Sequence, residues 1–281
     1  MTKLLRANFA RLRKEKIFLV CAAVMVLYGV ILCIAVNYSM HVNNTEIPFD
    51  SVFLYGYGLY GYLAIPGILM ATLCSVFIGT EHSDGTIRNK LVVGRTRTEI
   101  YLSNFLTCAV AGVLLNICYF VVACAVGIPL FGFFHASVSV MLKLILDGTL
   151  MMVSYAAVFN ILSMLIQNKT TTAIISLIGV IAVMCVSIVL ITRIAEPEFI
   201  DGIEISASGE QIWTTVRNTR YLSKTARAVC QFVVDLLPTG QSLQISGMTA
   251  PHLWLMMLYS AIITITANIA GVFFFRRKDL K

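Results

Sequence analysis

Charge is what this chain has least of. Only 12% of its 281 residues are charged, about half the share of a soluble globular domain. With 58% hydrophobic residues and a mean hydropathy of +0.86, it is excluded as a soluble fold and reads as a polytopic membrane protein. The motif G-x-x-x-x-G-K-[ST] is also absent, so no loop of this type cradles nucleotide phosphates. Neither H-E-x-x-H nor G-x-S-x-G occurs. The four histidines, His41, His82, His135 and His252, lie far apart, so no metal site is expected. Eight cysteines form no C-x-x-C; seven lie inside apolar runs as small fillers, and Cys230 stands apart as a free thiol. No catalytic residue emerges, and the chain is expected not to be an enzyme.

What is there is six apolar runs, each long enough to cross a bilayer, which takes roughly 20 residues. They cover residues 17–36, 59–79, 100–126, 144–166, 171–191 and 253–275. The first exceeds a signal-peptide core and lacks an A-x-A site after it, so it reads as a retained span. Six spans put both termini on one side. Residues 1–16, 80–99, Lys169 and the tail from Arg276 carry fifteen Lys and Arg; the opposite side carries six. The richer side is the cytoplasmic one. The net charge of +7 is therefore a topology signal and a contact to anionic lipid, and nucleic acid is not an expected partner. The chain reads as one domain, residues 1–281, in a bacterial cell membrane.

Residues 80–99 form a charged island between two apolar runs. It holds Arg88, Lys90, Arg95 and Arg97 with Glu81, Asp84 and Glu99. Thr86 is placed to cap a two-turn helix with Ile87 and Leu91 on one face, and Gly94 to end it. Thr96 and Glu99 match the T-x-x-E capping box ahead of the third span. A connecting loop needs no caps of its own, so the island reads as a docking surface for another protein.

Residues 1–16 read as an amphipathic helix, with Leu5, Phe9 and Leu12 on one face and bases over much of the rest. In the second span, Gly67, Ala71, Ser75 and Gly79 recur at four-residue steps. That stripe suits a close helix contact within the chain or between two copies. Pro66 beside it is placed to kink the span. Tyr55, Tyr57, Tyr60 and Tyr62 read as an interfacial aromatic belt, with a substrate-access role left open. Lys143 and Asp147 read as a pair at the outer edge of the fourth span. Residues 192–251 form a long external segment that opens acidic and then becomes helical. Leu222, Ala226, Val229, Val233 and Leu236 mark its apolar stripe, with Lys224, Arg227, Gln231 and Asp235 on other faces and Pro238 to Gly240 stopping it. A lid and an exit gate both fit that helix.

Two short elements carry a family resemblance. Glu81 to Arg88, E-H-S-D-G-T-I-R, resembles the E-x-x-x-G-T-[IL]-R coupling segment of ABC-2-type transporter permeases. Leu236 to Gln241 resembles their L-P-[ST]-G-Q element before the last span. The order of elements is similar over the whole chain, down to the basic tail FFFRRKDLK. The resemblance implies an all-α membrane domain of type V exporter architecture, with residues 1–16 as elbow helix and an external amphipathic helix before the sixth span. It also implies two paired permeases, identical or paralogous, and separate cytosolic ATPases that hold the ATP and Mg; this chain would hold no cofactor. By that resemblance Glu81, Asp84, Gly85, Thr86, Ile87, Arg88, Lys90 and Leu91 would couple to the ATPase, and the stripe on span two would lie near the dimer seam. The expected cargo is amphipathic or apolar: a peptide antibiotic, drug or lipid moved outward, with self-protection against antimicrobial peptides foremost. The competing expectation is a sensor or scaffold that binds a peptide through its external segment and moves nothing.

Overall fold

The computed structural model describes residues 1–59, 63–205 and 211–278. Tyr60, Tyr62 and the last three tail residues lie outside them. The chain runs α1 (Thr2–Leu12), α2 (Lys16–Asn43), α3 (Phe49–Leu54), α4 (Ile65–Ser83), α5 (Thr86–Val92), α6 (Arg97–Val122), α7 (Ile128–Phe131), α8 (Val138–Leu165) and α9 (Lys169–Ala195). An antiparallel hairpin of β1 (Phe199–Ile205) and β2 (Gln211–Arg217) follows, in register Phe199 to Arg217. The chain closes with α10 (Lys224–Leu236), α11 (Pro238–Ser246) and α12 (Leu253–Arg277).

Six helices among the described residues are long and apolar enough to cross a membrane, as the sequence implied. Helices satisfy their own backbone polar groups, which lipid cannot do. α4 and α8 are the most buried of the six; α9 and α12 are the least, and so present most of their surface to lipid. α8 packs on α12, α4 and α6, and α4 packs on α9. The third span is longer than expected. It passes through a π-helical turn at Ala123–Gly127 into α7 and runs unbroken from Arg97 to Phe131. The turn lets Phe49 close over Gly127, where a Cβ would lie 2.6 Å from the ring.

Several expectations are corrected. The second span opens at Ile65, not residue 59, and Pro66 starts α4 rather than kinking it. The residues before it fold inward. Phe49, Val52, Leu54 and Tyr57 are fully buried, and Tyr55 nearly so. The tyrosines described are thus core residues, not a lipid-interface belt. Tyr57 lies flat on Gly148 of α8, where a Cβ would be 2.2 Å from the ring, and donates to the Ile145 carbonyl at 3.2 Å. The Tyr119 hydroxyl bonds the Val52 carbonyl at 2.5 Å, and Asp50 accepts from the amides of His135 and Ala136 at 2.9 and 3.3 Å. These bonds satisfy the inserted segment's polar groups within the protein.

Lys143 and Asp147 do not pair. The Lys143 amine sits 5.9 Å from the Trp254 ring, and Asp147 is fully buried with no hydrogen-bond partner on either carboxylate oxygen among the described residues. The amphipathic helix does stop ahead of Pro238, at Leu236, but Pro238 also starts α11, a buried helix that turns back into the bundle. The hairpin was not foreseen. Its alternating apolar residues were outweighed in the reading by the acidic composition of the segment.

An unpaired buried carboxylate is destabilising. Asp147→Asn keeps the shape and removes the charge. It is expected to raise the melting temperature of the detergent-purified chain by about 2–4 °C, the shift that about 1 kcal/mol gives at this size. A fall of that size would show that the charge is structurally required.

Candidate functional site

The bases that the sequence placed on one side gather at one end of the bundle. α1, the α4–α6 connection, the turn before α9 and the end of α12 meet there. α5 forms because Gly85 takes a left-handed φ of 66° and Gly94 one of 82°, conformations open to glycine, so the chain reverses cleanly on either side. Thr86 is not the N-cap, as expected; Gly85 is, and the Thr86 hydroxyl donates to the Glu81 carbonyl at 3.0 Å. The capping box is present: the Glu99 amide donates to Thr96 Oγ1 at 3.2 Å and the Thr96 amide to Glu99 Oε2 at 3.4 Å. Glu99 Oε1 also holds the N-terminal amine at 2.9 Å.

Glu81 is the centre of this end. Its side chain has no exposure, yet it accepts from groups on three other helices. Arg11 of α1 donates to Oε1 at 2.5 Å, Lys90 of α5 donates to the same oxygen, and Asn104 of α6 donates to Oε2 at 2.7 Å. The ring closes through Asn8, which donates to Asn104 Oδ1 at 2.7 Å and accepts from Lys90 at 3.1 Å. Arg11 also bonds the Phe77 carbonyl at 3.1 Å and lies 3.8 Å from the Phe77 ring centroid. Burial pulls the Lys90 ammonium below its usual range, against the opposing pull of Glu81. The arrangement does no bond chemistry. It clamps α1, α4, α5 and α6 into one body.

This geometry sorts the residues named from the sequence. Glu81, Ile87 and Lys90 face inward, and Gly85, Thr86 and Leu91 are half-buried. Asp84 and Arg88 are on the surface. On α1 the buried face is Leu4, Asn8 and Leu12, one position round from Leu5 and Phe9, which are half-buried. Sequence reading missed Val92 and Val93, which are 83% and 78% exposed at the tip of the island. Two adjacent bare valines among charges were the available signal. A cleft of about 300 Å³ lies between Glu81, Arg88 and Gln167 at the start of α5. The Lys278 amine bonds the Leu165 carbonyl and lies 3.4 Å from that of Met164, and burial lowers its pKa.

The small-residue stripe packs within the chain. A Cβ on Gly67 would lie 2.8 Å from Val180, one on Gly79 would lie 2.4 Å from the Lys169 Cβ, and the Ser75 and Ser176 hydroxyls are 3.4 Å apart. α9 of the same chain fills the groove, the within-chain contact that the spacing allowed. At the far end, the expected apolar stripe of α10 is half-exposed: Val229 is open, while Leu222, Val233 and Leu236 are partly covered. Its buried side is polar. Asp235 accepts from Gln231 at 2.6 Å and Gln244 at 3.0 Å and lies 3.0 Å from His252 Nδ1. The Pro238–Gly240 element brings Gln241 inside, where it bonds the carbonyls of Asp235 at 2.8 Å and Met256 at 3.1 Å. Gly240 sits against the Val234 carbonyl, 2.2 Å from where a Cβ would be.

Six apolar spans with a charge-clamped junction at one end, including a short helix between two spans, define a multi-pass membrane protein. A family model described as ABC-2 family transporter protein matches residues 4–192, and the chain belongs to that family. Members are transmembrane subunits rather than catalytic ones. The match takes in α1 to α8 and nearly all of α9, with every member of the Glu81 cluster. No curated protein matches the chain.

Removing one partner of a buried ion pair costs about 3–5 kcal/mol. Glu81→Ala is therefore expected to lower the melting temperature sharply and to expose α1 and α5 to proteolysis. Arg11→Ala combined with Glu81→Ala should cost less than the sum of the two single changes, because they share one contact. Additive losses would show that the cluster does not act as a unit.

Proposed function

We propose that the chain is the membrane subunit of an ATP-driven exporter, and that its α5 end receives a separate cytosolic ATPase. The exposed Val92–Val93 pair carries the reading. Outside the spans, bare apolar side chains next to a base such as Arg88 are what a protein partner covers. The basic end is cytoplasmic by its Lys and Arg excess, with both termini there. α5 is short and tied by Lys90 to Glu81, so a push on its tip passes into α1, α4 and α6 rather than being lost in a loose loop. In this reading α1 is the elbow helix and α5 the coupling helix. ATP and Mg are held by the partner chain, and a second permease, identical or paralogous, completes the pore.

The cargo that fits is amphipathic or hydrophobic, outward-bound from a bacterial cell. An apolar cavity of about 330 Å³ lies between α8, α9, α11 and α12, lined by Val158, Val180, Val183, Pro238 and Ile263. Tyr155 also lines it, and its buried hydroxyl has no hydrogen-bond partner among the described residues. A cavity of this size takes one apolar segment of a peptide, drug or lipid at a time. α11 closes its far end, which makes the Pro238–Gly240 element an exit gate rather than a loose lid.

Val92→Asp with Val93→Asp should leave the chain inserted, with its melting temperature within about 1 °C, because exposed sites tolerate substitution. It should abolish co-purification of an ATP-hydrolysing chain from the native membrane and stop ATP-driven efflux of an amphipathic cationic peptide from the cell. Retained ATPase binding would refute the docking surface. Retained efflux after the ATPase is removed would refute the motor.

A further inference from the structure

A groove of about 750 Å³ runs between α6 and α12 at the basic end. Its walls are Leu102, Ile269, Val272 and Phe273, and Arg276 and Arg277 stand at its mouth. From Asn268 to Arg277 it follows ten residues of helix, whose nine rises span about 13 Å of axis. That is close to half of a hydrocarbon core of about 30 Å, the depth of one leaflet. Both arginines are exposed, and neither makes an ion pair among the described residues. Arg277 lies 4.1 Å from the Phe273 ring centroid, which turns its guanidinium along the groove wall.

The helix end itself does not satisfy these cations. Arg97 already donates to the carbonyls of Phe275 and Arg276 at 3.1 Å and to that of Lys278. The negative end of the α12 dipole is therefore already countered, and two further positive charges stand beside it facing the bilayer. Apolar walls one leaflet deep under a paired-arginine mouth match one kind of molecule. Basic pockets between membrane helices suit anionic headgroups, and arginine suits phosphate oxygens in particular.

We propose that this groove holds one anionic phospholipid of the adjoining leaflet, its phosphate between Arg276 and Arg277 and an acyl chain along Leu102, Ile269 and Val272. The lipid would brace α6 against α12 beside Arg97, three residues after Gly94, which closes α5. A displacement of α5 that travels through α6 passes this point on its way to α12. The inference does not depend on the ATPase docking proposed above.

The test uses the full-length chain in detergent, with phosphatidylglycerol, phosphatidylcholine and inorganic phosphate as probes, read by native mass spectrometry and by thermal melting. Phosphatidylglycerol should bind at one saturable site and raise the melting temperature; phosphatidylcholine and phosphate should not. Arg276→Gln with Arg277→Gln should weaken phosphatidylglycerol roughly thirty-fold, at the usual contribution of a base near an anionic surface. Val272→Trp, which fills the groove and leaves both arginines, should weaken it as well. Equal binding of the two lipids, or unaltered binding by both variants, would overturn the proposal. So would an equal shift by phosphate alone, or cross-linking of Ile269→Cys to a second copy in lipid-depleted detergent and in native membranes alike.

Discussion

A carboxylate placed where a span meets the membrane surface has to be neutralised by something. In this protein, Glu81 recruits its partners from three separate helices. Its oxygens are satisfied by Arg11, Lys90 and Asn104 at once. Because the cluster is out of water, its bonds are stronger than surface pairs, and any one partner left alone would be costly. That cost turns three short contacts into a mechanical joint. α1 cannot lift, and α5 cannot swing, without stripping a buried charge. Asn8 and Asn104 close the ring and fix the spacing between α1 and α6.

The far end is built on a different rule. Two segments, α3 with the residues after it and α11, turn back into the bundle and carry polar backbone into an apolar surrounding. Each is tolerated because the protein supplies its hydrogen bonds. Tyr57 and Ser242 link them directly, the Ser242 hydroxyl bonding the Tyr57 carbonyl. Gly148 and Gly240 allow the approach, since a side chain at either would meet a ring or a carbonyl. One end of the molecule is thus clamped by charge and the other filled by folded-back helices, with the apolar cavity between them. The two ends are joined by α4 and α8, the two most enclosed spans.

Much of this was legible in the sequence, and the unreadable parts share a cause. Span number, the charged island and the Thr96–Glu99 box follow from local pattern, because hydropathy and caps act within a few residues. The Gly67–Gly79 stripe announced a close helix contact, but spacing does not say whose helix fills it; Lys169 and Val180 of the same chain do. α1 was read one position off because Asn8 is polar and looks solvent-facing until its partner Asn104, 96 residues on, is known. Tyr55 and Tyr57 looked interfacial, and Asp147 looked paired to Lys143 one turn away. In each case a distant segment decided the outcome. α3 and α11 have six and nine residues, too short to declare themselves against the spans on either side. Val92 and Val93 were overlooked among charges, although they are the most exposed apolar side chains of the island.

The account stands on α1 and α5 moving as one body. Spin labels on the exposed positions Arg6 and Asn89 of the reconstituted transporter would report this by pulsed electron paramagnetic resonance, without nucleotide and with nucleotide trapped. The α1–α5 distance distribution should be the same in both states, and it should broaden only when Glu81 is replaced. A distance that shifts on nucleotide trapping with Glu81 intact would contradict the joint and the route of force drawn from it.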